Sequence, residues 1–123
     1  MKVIIAGSRN IQNPSLELAL ALYTCPFHNK ITEIISGHAQ GIDQAGEKLA
    51  HLASLPCKIF PADWNKYGKR AGYLRNEEMA KYADGLIAVW DGKSKGTKHM
   101  IDLANRYKLK IHVYTVETNY EAR

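Results

Sequence analysis

Apolar positions along the chain follow two rhythms. Short continuous runs, Val3-Ile4-Ile5-Ala6, Ile34-Ile35 and Leu86-Ile87-Ala88-Val89-Trp90, read as buried strands. Between them apolar residues return at helical spacing: Met100, Leu103, Ala104 and Tyr107 form an i, i+3, i+4, i+7 stripe, and Ile42, Ala45, Leu49 and Ala53 form a similar one. The pattern predicts strands at 2–6, 33–36, 57–60, 85–90 and 110–114. Helices are predicted at 14–25, 41–54, 72–83 and 96–107, with a loop at 61–71. Pro14 suits the first turn of the first helix, and Leu55-Pro56 marks the end of the second. Strict alternation of strand and helix argues for an α/β fold, a mostly parallel sheet with helices on both faces.

At 123 residues the chain has room for one core, so residues 1–123 read as a single domain. No apolar stretch approaches the roughly 20 residues that span a bilayer, and the run after Lys2 stops at Ala6, too short for a signal peptide. No membrane association and a cytoplasmic location are expected. Cys25 and Cys57 are the only cysteines, without a CxxC, so neither a zinc site nor a disulfide framework is indicated. Both are expected reduced and at least partly buried, and no metal or other cofactor is required. Seventeen basic against twelve acidic residues leave a net charge of +5. The excess gathers in Lys66, Lys69, Arg70 and Arg75 and in Lys93, Lys95 and Lys98, which are either solvated faces or a field for nucleotides or a nucleic-acid backbone.

Candidate chemistry sits where strands give way to helices. Three junctions carry glycine: Gly7-Ser8-Arg9, Ser36-Gly37-His38-Ala39-Gln40-Gly41-Ile42-Asp43, and Asp91-Gly92-Lys93-Ser94-Lys95-Gly96-Thr97. In a parallel sheet such junctions line the carboxyl edge, where free N–H groups and helix amino ends attract anions, phosphate above all. Gly7 is either a plain turn residue or part of that cradle, to which Arg9 would add a bidentate guanidinium. Gly37 and Gly41 do not make the GxGxxG fingerprint, and Gly92-Lys93 lacks the spacing of a triphosphate-splitting P-loop. Ser36, Gly37 and Gly41 could wrap an anion; Asp43 would be a helix-end charge or an acceptor for a ribose hydroxyl. Gly92, Ser94, Gly96 and Thr97 read as a phosphate clasp, with an N-cap as the plainer role for Thr97. Arg75 and Asn76 lie on the inward side of their helix, facing either a ligand or, for Arg75, an ion pair with Asp43, Asp63 or Asp91. Trp64 would stack on a base or pack against the helix at 72–83. His38 and His99 adjoin glycine loops but lack a nucleophile or metal set that would make them catalytic.

Taken in order, Gly7-Ser8-Arg9, Ser36 to Asp43, Phe60-Pro61-Ala62-Asp63-Trp64, Ala71 to Met79 with Arg75-Asn76, and Gly92 to Thr97 resemble the SLOG superfamily, specifically its YspA-like branch. That Rossmann-like group includes the Smf/DNA-processing proteins and the Lonely Guy enzymes, and the resemblance covers nearly the whole chain. It implies a nucleotide or nucleotide-derived ligand at the glycine loops, in proteins used as sensors, binders or hydrolases. Lonely Guy enzymes split a base from a nucleoside monophosphate and carry a PGGxGTxxE motif. Arg75 matches their helix arginine and Gly96-Thr97 their glycine-threonine pair, while Met100, preceded by His99, stands where their acidic residue would be. The leading expectation is therefore a binding protein, acting as a sensor or sequestering module. An N-glycosidase with Arg75 as anchor and Asp43 or Asp91 as acid/base is the alternative, and a nucleic-acid-binding protein the third. The tail from Thr118 to Arg123 is expected to fray or to serve a subunit contact, which admits a homo-oligomer.

Overall fold

The structure is a computed structural model and describes residues 1–116; the tail reading at 118–123 lies outside them. Five strands form one all-parallel sheet: β1 Lys2–Gly7, β2 Glu33–Ser36, β3 Cys57–Ile59, β4 Gly85–Trp90 and β5 Lys110–Thr115, in the order β3-β2-β1-β4-β5. Helices α1 Pro14–Thr24, α2 Ile42–Leu52, α4 Ala71–Tyr82 and α5 Lys95–Arg106 supply the crossovers, and α3 Trp64–Tyr67 is a single turn before α4. This is a Rossmann-like domain.

The strand pleat explains the layering. Val3 and Ile5 point with Ile34, Ile87 and Val89 toward Leu18 and Ala21 of α1 and Ile42, Ala45 and Ala50 of α2. Their neighbours Ile4 and Ala6 point with Ile35, Leu86 and Ala88 toward Met79 and Ala80 of α4 and Met100, Leu103 and Ala104 of α5. Both faces of each central strand are buried, which is why these strands read as unbroken apolar runs. Two glycines let α2 lie close on β1. A Cβ on Gly46 would come within 2.8 Å of the Ile5 side chain, and one on Gly7 would meet the Val89 carbonyl and Ile42.

Three sequence expectations need correction. The 61–71 segment is no plain loop: it holds α3 and a 3-10 turn, Gly68–Arg70, that runs into α4 at Ala71. Asp63 caps α3 by accepting the Lys66 N–H at 3.1 Å. Ser94, not Thr97, occupies the N-cap position of α5, and Thr97 is buried in the first turn. Cys57 is exposed on the edge strand β3, whereas Cys25 is buried. Among the described residues, no helix is long and apolar enough to cross a membrane.

Candidate functional site

Strand order reverses between β1 and β4, so the chain leaves their carboxyl ends in opposite directions and opens a crevice there. The rim is stitched by backbone: the Ser8 N–H donates to the Val89 carbonyl at 3.1 Å, and the Asp91 N–H donates to Ser8 Oγ at 3.1 Å. A cavity of about 500 Å³ lies above this point. From the end of β1 and the turn after it the cavity receives Gly7 and Arg9, from the loop before α2 and its first turn Ala39 and Asp43, from α4 Arg75 and Asn76, and from the β4–α5 junction Asp91, Ser94, Gly96 and Thr97. All three glycine junctions thus contribute, together with the polar pair of α4.

Arg75 is the hub. Its Nη1 donates to the Gly37 carbonyl at 2.6 Å and its Nε to Asn76 Oδ1 at 3.0 Å. Nη2 makes no hydrogen bond among the described residues. No carboxylate lies within ion-pair distance of Arg75 among those residues, although the Asp43 charge acts on it through space. The ion-pair alternatives with Asp43, Asp63 and Asp91 are therefore not realised. Gly37 is glycine for a local reason, since a Cβ there would stand 2.7 Å from Arg75 Nη1 and 3.0 Å from Asp43 Oδ2.

Asn76, itself buried, ties α4 to the start of α5. Its Nδ2 reaches the Gly96 carbonyl at 3.5 Å and His99 Nδ1 at 3.2 Å, so the amide donates and the imidazole nitrogen accepts. Burial holds His99 below the ordinary imidazole value, which keeps the accepting neutral ring populated.

The two candidate carboxylates differ. Asp43 is 5% exposed, in the first turn of α2 behind Gly41, whose φ of +84° suits glycine. Burial pushes Asp43 up to about 6, against the pull of the Ala39 N–H and the Arg75 charge. Asp91 Oδ1 accepts the N–H groups of Lys93 and Ser94, both at 2.8 Å. Partial burial raises Asp91, but those donors outweigh it and hold the carboxyl below its usual range. Asp43 can carry a proton near neutral pH; Asp91 is an anion fixed to its own turn.

Ser8, Ser36, Gly37, Gly41 and Gly92 lie outside the cavity lining. Ser36 Oγ donates to Glu47 Oε2 at 2.7 Å and accepts the His38 N–H at 3.0 Å, while His38 Nδ1 meets Glu47 at 2.8 Å. This network, with His38 at φ +62°, shapes the 37–39 loop from outside. Sequence reasoning missed Glu47, whose only signal was its placement on α2 one turn after Asp43. It also missed Asn10 and Ala39 in the lining, which carry no distinctive chemistry.

No family model matches the chain. The Gene 61 protein of Mycobacterium phage D29 is 31% identical over 114 residues, spanning 85% of this chain and 89% of the phage protein. The chain belongs to that protein's family.

Proposed function

We propose that the protein binds a nucleotide or nucleotide-derived small molecule in the β1/β4 crevice, as a sensor or sequestering module. The observation that carries this reading is the placement of Arg75: it is held by Gly37 and Asn76, with Nη2 left over, in one cavity with the amino end of α5. An anion there would meet a guanidinium edge and the N–H groups around Gly96 and Thr97, the combination that favours phosphate. Nothing within 4 Å occupies the Cβ position of Gly96, so an oxygen could approach its backbone closely. The resemblance to the SLOG superfamily supports the same ligand class.

Asp43 favours a second reading, N-glycosidase activity on a nucleotide-like substrate. A buried carboxyl raised to about 6 and facing the cavity can donate a proton to a leaving base or accept a ribose hydroxyl. Asp91 is the poorer proton donor, because backbone N–H groups at Oδ1 hold its carboxyl below the usual range. Incubation with a panel of nucleoside monophosphates, with free base and nucleotide followed by chromatography, separates the readings. Binding without base release identifies a sensor or sequestering module; release that disappears in Asp43→Asn identifies a hydrolase.

A further inference from the structure

Trp64 stands just outside the cavity lining and is 52% exposed. Leaving half an indole in water forgoes hydrophobic stabilisation, yet the turn that carries it is fixed at both ends. Asp63 caps α3 through the Lys66 N–H, and Gly68 ends it at a φ of +59°. The far edge of the indole approaches Gly72, in the first turn of α4. A Cβ on Gly72 would lie 3.4 Å from Trp64 Cη2 and 3.6 Å from Arg75 Nη2. The indole and the one guanidinium nitrogen without a hydrogen bond among the described residues therefore converge on the same point of α4. Lys66, Lys69 and Arg70 follow on the same exposed segment and make this rim positive.

We infer that Trp64 is a base-stacking platform at the mouth of the crevice, so that the ligand is a nucleotide whose phosphate binds inside and whose aromatic base lies on the indole. This rests on the phosphate reading of the crevice and adds to it a requirement for a base. A sugar phosphate would use Arg75 and leave Trp64 idle. A nucleotide would use both, because an indole face attracts any aromatic base while a guanidinium edge attracts oxygen.

The test is calorimetric titration of the four nucleoside 5′-monophosphates and of ribose 5-phosphate into the parent protein, Trp64→Ala, Trp64→Phe, Tyr23→Ala and Arg75→Ala, each checked by a melting curve. At least one nucleotide should bind the parent about 10- to 100-fold more tightly than ribose 5-phosphate, the scale of one base–aromatic stack. Trp64→Ala should bring that nucleotide down to the ribose 5-phosphate level without changing ribose 5-phosphate itself, and Trp64→Phe should keep most of the preference. Tyr23, exposed on α1 away from the crevice, serves as the control, and its alanine variant should bind as the parent does. Unchanged nucleotide affinity in Trp64→Ala, with loss of both ligands in Arg75→Ala, would overturn the platform and leave the phosphate site standing. Equal loss of both ligands in Trp64→Ala would assign the indole to packing and likewise overturn it. Failure of all five ligands to bind the parent would overturn the phosphate reading and the platform together.

Discussion

Arg75 uses Nε and Nη1 on the protein, while Nη2 makes no hydrogen bond among the described residues, so its removal should act on the fold and on any anion in the crevice. Arg75→Ala should lower stability without ligand by about 1–3 kcal/mol, the scale of a charge-assisted hydrogen bond to a buried carbonyl. It should also lose anion binding. Denaturant unfolding and titration on the same variant check both; an alanine variant with full stability would mean that the Gly37 contact contributes nothing. Asp43 makes the complementary case. Its carboxyl rises from 3.8 to about 6 on folding, so between those values the folded protein holds a proton that the unfolded chain releases. This contribution is fully present below pH 3.8 and is lost as pH rises through 6, leaving a cost of about 3 kcal/mol for the buried charge at neutral pH. Asp43→Asn should remove that slope and stabilise the protein at pH 7.5, as unfolding curves at pH 4.5, 6 and 7.5 would reveal.

At the scale of elements, two glycines that look alike in the sequence should respond in opposite ways. The Cβ position of Gly37 is filled by the Arg75 guanidinium and the Asp43 carboxylate, whereas that of Gly96 is open. Gly37→Ala should displace Arg75 and lower both stability and affinity. Gly96→Val should leave the melting temperature close to the parent value and weaken only ligand binding, because its new methyl groups crowd the space an anion would enter. Loss of stability in Gly96→Val with unchanged affinity would assign that glycine to packing. The elements themselves were legible because β1, β2 and β4 are buried on both faces and α5 carries a clean apolar stripe. The short helix α3 was not, since a single turn is set by its Asp63 cap and by Gly68 rather than by periodicity.

On the scale of the whole molecule, strand order was hidden from the sequence because pairing is non-local, yet it decides the site by bringing Gly7, Asp43, Arg75 and Thr97 to one crevice. The glycine junctions announced an edge of the sheet; they did not say that Ser36 would turn to Glu47 or that Gly37 would present a carbonyl to Arg75. The net charge of +5 should draw anions inward. A mononucleotide in the crevice touches few charges, so its affinity should fall only shallowly with salt. A nucleic-acid partner spread over Lys66 to Arg70 and Lys93 to Lys98 would give a steep fall, whose slope counts phosphates. Amide chemical shifts of the isotope-labelled protein titrated with nucleoside 5′-monophosphates report directly on whether the β1/β4 crevice takes a nucleotide-type anion. Gly7, Ala39, Gly96 and Thr97 should move together and saturate, while Leu20, Tyr23 and Leu52 on the exposed surfaces of α1 and α2 should stay still. Saturating shifts centred on α1 and α2, or no shifts at millimolar ligand, would rule out a nucleotide site in the crevice.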